Sequence, residues 1–452
     1  MSLDRREFFT LGSVMVGTSL LPPGLASATV NQPKSSDLII KSLKVTPIAL
    51  PDPPILAAGG CHGPYFLRNV IEIETTDGIV GIGETRGGVV NTEQLEKCAE
   101  IIVGKSVAAY RSFQADMKDM TTSVYSGIEL ACLDALGRAT NLRLCELMGG
   151  PVREEVEFAA YLFYRFAADH PQVFKDSRLV DDRGKGDKAL DQWGDVRSAD
   201  SMAEMAKKFH KKWGFKVMKL KAGVLPPEEE LKTMFAMNER FEGKMPLRID
   251  PNGRWTLNTA IRIGRKMEGL PIDYYEDPVV GMVMMAEVRR ITGLTMSTNS
   301  CVTRLQHIPD ALKFQPIDVV LGDHHFWGGL SAYQTLGTIC ENVGWGLSQH
   351  SNNHGGITMA AMIHAGAITP ACNYASDTHY VWLVEGADYI KGPNLPIKGG
   401  KMSVPKGPGV GVEIDPDKLA RAHEVYVKSG VLERNDAETM QRFQPGWKRN
   451  LF

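Results

Sequence analysis

From about Glu155 onward the chain repeats one unit: a strand-length apolar run followed by an amphipathic helical pattern, at about 25 residues per unit. The runs lie at 156–164, 216–222, 246–251, 272–277, 294–299, 317–323, 345–350 and 373–378. Strands alternating with helices make a parallel sheet with helices outside it, and this many repeats point to an α/β fold of the (β/α)₈ TIM-barrel type. A polar stretch, Asp181–Asp195, reads as a loop inserted after the first strand.

The rest of the chain is not barrel. Val70–Thr75 alternates, Asp77-Gly78 turns and Ile79–Glu84 returns, which is a hairpin. Helical periodicity covers Thr92–Val103 and Ser123–Leu147 and stops at Gly149-Gly150. A β segment at Val410–Ile414 and a helix at Asp417–Ser429 have no barrel partner left, so they are expected to pack on the first lobe. The division is 29–154 for an α+β capping domain, 155–398 for the barrel and 399–452 for the C-terminal segment.

Residues 1–28 read as a twin-arginine signal peptide: Arg5-Arg6, an apolar run to Leu21, a Pro22-Pro23-Gly24 break and a small-residue site before Thr29. The apolar run, ~14 residues, is too short to anchor in a bilayer. The expectation is export to the periplasm by the twin-arginine machinery, with cleavage near Ala28-Thr29 and no membrane anchor afterwards; a short N-terminal helix is the bland alternative. The net charge of −2 gives no electrostatic footprint for nucleic acid. The seven cysteines are scattered, which argues against a disulfide framework or a zinc site.

Chemistry concentrates at strand ends. In such a barrel one face carries the catalytic groups, and here the runs from the second onward end in Lys219 and Lys221, Asp250, Glu276, Asn299, Asp323, His350 and His379. Lys219 and Lys221, two apart on a strand, face the same side. Mutual repulsion and desolvation are expected to lower the pKa of at least one, which suits a general base. Asp250, Glu276 and Asn299 offer hard oxygens from successive strands, as Mg²⁺ prefers, with Mn²⁺ equally accommodated. Each alone has a structural alternative, as a turn residue, a solvated acid or a helix cap. Asp323 is placed to orient His350 through one ring nitrogen. Such a set suits removal of a proton α to a carboxylate, where the new charge falls on oxygen beside a cation.

At these residues the sequence resembles the enolase superfamily, in particular the glucarate dehydratase group. The matching stretches include GGCHGPYFLRN, AYLFYR, FKVMKLKAGVLPPEEE, RIDPNGRW, YYEDP, STNSCVTR, DHHFWGG, SQHSNNH, DTHYVW and RNDAETMQRFQPGW. The resemblance implies a modified TIM barrel, (β/α)₇β, whose N-terminal α+β cap is completed by the C-terminal segment. It implies Lys221 as base with Lys219 beside it, His350 with Asp323 as the acid/base on the other face, and Mg²⁺ on Asp250, Glu276 and Asn299. Contacts to an acid-sugar substrate would come from His62, Tyr161, Phe163, His379 and Arg434, with Asn252 and Asn353 assisting. The sequence departs from the group at Ala57, before Thr121 and at Gly355-Gly356, positions that bear on specificity. The implied reaction is dehydration of a sugar diacid to a keto-deoxy product. A racemase or epimerase of a related hydroxy acid, and a non-catalytic exported binding protein, use the same residues differently. Barrels of this kind often self-associate, so a homo-oligomer is compatible.

Overall fold

The computed structural model describes residues 38–167 and 193–452. The signal segment with its cleavage site, and the expected insertion as far as Gln192, lie outside the described residues.

The capping lobe starts with β1 (Ile40–Pro51), a two-stranded ribbon of β2 (Leu56–Ala57) and β3 (Gly60–Cys61), then β4 (Tyr65–Thr75) and β5 (Val80–Arg86). Its main sheet is antiparallel in the order β1-β4-β5. The hairpin is longer than the alternation suggested, because both strands run past the apolar residues into Tyr65 and Arg86. Helix Thr122–Thr140 lies so close to β5 that a side chain at Gly81 or Gly83 would strike the backbone of Ala131 or Gly127. The expected single helix Ser123–Leu147 is broken: Asn141 takes a left-handed φ of 56°, and a separate turn follows at Leu144–Leu147.

The barrel begins with β6 (Glu155–Glu157) and β7 (Ala160–Phe163), where one strand was expected. The break is a change of partner: Phe158 donates to the Gly400 carbonyl and Ala159 to that of Ser376. Then follow β8 (Met218–Lys221), β9 (Leu247–Asp250), β10 (Ile272–Glu276), β11 (Met296–Thr298), β12 (Val319–Gly322) and β13 (Gly346–Gln349). Strands β7 to β13 form one seven-stranded sheet in sequence order, every pairing parallel. The expected eighth strand at 373–378 is not a ladder. It closes the sheet through single bridges, Leu347 to Cys372 and Phe158 to Ser376, because the Asn373 side chain takes the Leu347 amide (3.3 Å) that a ladder would use. This is the modified TIM barrel.

Local signals set the outer helices. Over Ala199–Trp213, the Ser198 hydroxyl accepts from the Ser201 amide at the start and left-handed Gly214 ends the helix, with Met202, Met205, Ala206 and Phe209 turned inward. On β8, Met218 and Leu220 join the apolar core, which leaves Lys219 and Lys221 on the other side.

The C-terminal segment returns to the cap. Val425, in helix Pro416–Ser429, packs with Ala49 and Tyr65, and His423 meets the Pro47 carbonyl at 2.7 Å. Near its start, β14 (Lys401–Ser403) pairs antiparallel with β6. The β segment expected at Val410–Ile414 makes only one bridge, Ile390 to Ile414, because left-handed Gly409 and Gly411 bend the chain there.

Candidate active site

Register puts the polar groups at one level. Lys221 stands opposite Asp250, Ile249 opposite Tyr275, and Glu276 opposite Ser297, so Asp250 and Glu276 end adjacent strands side by side with Asn299 just past β11. Lys219 is fully buried; its ammonium lies 2.5 Å from Glu276 and 3.8 Å from Asp250, and is also paired with Asp377. Lys221 reaches Asp250 at 2.6 Å. Both ammonium groups lie over the Tyr161 ring, at 4.6 and 5.5 Å from its centre.

The expected lowering of a lysine pKa is not what this ring of charges gives. Burial pushes Lys219 down, but the Asp377 and Glu276 carboxylates outweigh it and hold the ammonium well above its usual range. Burial likewise lowers Lys221, and Asp250 more than reverses it. The repulsion between the lysines is real but smaller than their attraction to the acids.

The acids fit a divalent cation. Apart from the Lys219 ammonium beside one of them, the Glu276 oxygens are buried without a hydrogen-bond partner, and burial, with Asp250 beside it, pushes the carboxyl well above its ordinary range. Two buried carboxylates and an amide oxygen, one carboxylate with an oxygen that has no partner, form a donor set for a hard cation such as Mg²⁺. Asn252 braces the first of these acids: its backbone and side-chain amides both donate to Asp250 Oδ1 at 2.9 Å. Its left-handed φ of 49° makes that double contact. Asp277 accepts from the Thr298 hydroxyl at 2.5 Å and the Asn299 amide at 2.9 Å, fixing the end of β11. Burial and Asp250 push Asp277 up to about 6.

On the far side, His350 Nδ1 is 3.1 Å from Asp323 Oδ2. Burial raises Asp323, but hydrogen bonds from His325 and His350 hold it well below the usual carboxylate range. The Phe326 ring stacks on His350 at 5.7 Å. Asp323, His324 and His325 bring ligating atoms within 4.8 Å of one another. The Arg68 guanidinium, 3.5 Å from His325 Nε2, places positive charge there, so the group is better suited to support the dyad than to hold a metal.

The expected substrate contacts fall into two connected groups. Tyr161, Phe163, His379 and His62 form one aromatic wall, with centres 4.6 to 6.2 Å apart. Burial, then the charges of His62, Lys221 and Arg434, keep His379 well below the ordinary histidine range, so it is neutral. Arg434 and Asn353 belong to a network spanning tail, barrel and cap. Arg434 donates to Asn353 Oδ1 at 2.7 Å and pairs with Asp436 at 2.8 Å, while Asn353 donates to Asp52 at 3.2 Å. His62 joins it, 3.4 Å from Asp52.

Several participants were missed from sequence. Asp377 hides two residues before His379 in a run read as strand. Glu84 and Arg68, paired at 2.5 Å, sit in the capping hairpin, where alternation gave no hint that charges would be buried. Glu84 also accepts the Gly355 and Thr358 amides at 2.8 Å each, tying the cap to the helix start beside His350. The departure at Gly355-Gly356 follows, since a side chain there would press on Tyr389 and Glu84 or on Asp388 and Ile390.

Residues 46–149 match the mandelate racemase / muconate lactonizing enzyme N-terminal domain, and residues 201–418 match the enolase C-terminal domain-like family. The chain belongs to the enolase superfamily. Within it, the chain is 38% identical over 438 residues to a probable glucarate dehydratase of Streptomyces coelicolor, covering 91% of this chain and 97% of that one. An enolase from Thermobispora bispora complexed with magnesium and formate superposes with a TM-score of 0.84 at 37% identity, over 92% of this chain and 100% of that chain. One from Pseudomonas fluorescens, with bound magnesium, potassium and tartrate, gives 0.84 at 36% identity over 91% and 98%.

Proposed function

We propose that this protein dehydrates a sugar diacid, a glucarate-like compound, to a keto-deoxy diacid with Mg²⁺ as cofactor. The observation that carries the reading is the Lys219-Lys221 pair and the Asp323-oriented His350 at strand ends of one barrel face, with the donor set of Asp250, Glu276 and Asn299 between them in strand order. Similarity to a probable glucarate dehydratase and to magnesium-bound structures supports it.

Asp250, Glu276 and Asn299 would hold the cation, which supplies Lewis-acid stabilisation of charge on the substrate carboxylate; Mn²⁺ would suit the same oxygens. Lys221, whose ammonium Asp250 holds while that carboxylate is free, would take the α-proton in its neutral form once a cation draws on the same carboxylate, and Lys219 sets positive charge beside the carboxylate oxygens where negative charge develops. His350 Nε2, with Asp323 on its other nitrogen, gives a proton to the departing β-hydroxyl. The aromatic wall of Tyr161, Phe163 and His379 excludes water. Export by the twin-arginine route to the periplasm, on the strength of Arg5-Arg6 and the apolar run, completes the proposal; the N-terminus of periplasmic protein should be Thr29.

The test is incubation with Mg²⁺ and a panel of sugar diacids and monoacids, read as 2-keto acid formed. A keto product from a diacid, abolished by chelator, supports the reading. α-Proton exchange in D₂O without product would replace it with a racemase or epimerase. Neither product nor exchange would leave a binding protein.

A further inference from the structure

Arg86, at the end of β5, projects from the cap into a cavity of about 350 Å³ that it shares with Arg68, Asn353, Glu433, Arg434 and Asp436. Its backbone is held in the sheet. Arg86 pairs with Arg68 across the sheet, Asn69 donates to its carbonyl at 3.1 Å, and a side chain on the next residue, Gly87, would strike Leu67.

The charges around it are already committed. Arg68 is held by Glu84, and Arg434 by Asp436 and Asn353. Glu433 accepts the Val89 amide at 2.8 Å. Among the described residues the Arg86 guanidinium has no carboxylate within ion-pair distance; it lies 5.7 Å over the Phe326 ring, and that ring stacks on His350. Its side chain is exposed, but partial desolvation among neighbouring atoms and the nearby Arg68 lower its pKa, with Arg434 acting the same way and Asp323 and Glu433 opposing. An anion in the cavity would relieve this crowding of guanidinium groups. Arg434, expected from sequence to grip a carboxylate, lines the same cavity and is paired with Asp436 and Asn353.

We propose that Arg86 selects the substrate's second acidic group, binding the carboxylate at the end remote from Lys221 and the Asp250-Glu276-Asn299 donors. The inference rests on the reading of this site as one for acid sugars. It makes a dicarboxylate the preferred class and an aldonate, with a neutral hydroxyl at that end, the poorer one. The planar guanidinium matches a carboxylate in bidentate fashion, and the Phe326 ring, 5.7 Å away, lies beside it.

The test compares galactarate with galactonate, binding being measured by calorimetry with Mg²⁺ in a His350→Gln background that holds ligand unreacted, and turnover in the intact protein. The wild-type sequence at Arg86 should favour the diacid, Arg86→Met should lose roughly 10- to 100-fold for the diacid and little for the monoacid, and Arg86→Lys should recover part. Thermal melts check that the variants fold, as expected for a side chain without structural partners. Equal loss for both acids, an unchanged diacid preference in Arg86→Met, or no preference at all with Arg86 present would overturn the inference. Diacid-selective binding without any keto product would instead sink the dehydratase reading and leave the role of Arg86 standing.

Discussion

Lys219 on β8 is paired with Asp377 on the segment that closes the sheet, both fully buried, and Asp377 also lies 3.5 Å from Arg248. The pair joins the first part of the barrel to a final segment that lacks a ladder. Replacing Asp377 by Ala leaves Lys219 and Arg248 short of a buried counter-charge, an arrangement that costs about 3–5 kcal/mol when one partner of a buried pair is removed. Chemical denaturation should show that loss; a midpoint unchanged from wild type would mean that Glu276 alone satisfies Lys219.

Lys221→Ala and His350→Asn should each reduce turnover about 10²–10⁴-fold, the usual share of a positioned acid or base. Lys221→Ala also leaves buried Asp250 without the ammonium 2.6 Å away, so circular dichroism should check that each variant folds and its melt is expected to fall more than that of His350→Asn. If the two stand on opposite faces of the substrate, the variants will differ in which proton still exchanges with D₂O. Near-normal turnover in both would remove them from the reaction.

What could be read before the fold was known follows from periodicity. Strand ends such as Asp250, Glu276 and His350 were legible because a period of one β/α unit puts each polar group at the same barrel face. Asp377 was not, because its strand fails to form: Asn373 satisfies the Leu347 amide and the apparent run dissolves into bridges. The direction of the lysine shifts was also misread, since a KxK pattern shows the repulsion on one strand but not the carboxylates that other strands bring. Arg86 could be found only from space, because what marks it is the commitment of every neighbouring charge to someone else.

Magnesium should stabilise the protein independently of any activity. Free ligand at a hundredfold excess over its dissociation constant adds about 2.7 kcal/mol to a folded state that alone binds it. The melting temperature should therefore rise with Mg²⁺ and fall back with chelator. Glu276→Gln should keep its fold and lose most of the rise; a rise of the same size in that variant would place the ion elsewhere.

Glu129 offers a pH test remote from the site. Its carboxylate accepts the Leu330 amide at 2.5 Å, but burial dominates and pushes it up to about 7 from the ordinary 4.5. Below pH 4.5 the folded and unfolded chains are both protonated there, and the group has no effect on the pH dependence. Between 4.5 and about 7 the folded chain keeps a proton that the unfolded chain releases, so stability falls as pH rises, and above 7 the full penalty applies. Glu129→Gln keeps a carbonyl for the Leu330 amide and removes the titration. At 1.36 kcal/mol per pKa unit, its advantage over wild type should grow by about 2.5 kcal/mol between pH 5 and pH 8. Parallel stability profiles for the two proteins across that range would show that Glu129 ionises in the folded chain as easily as in water.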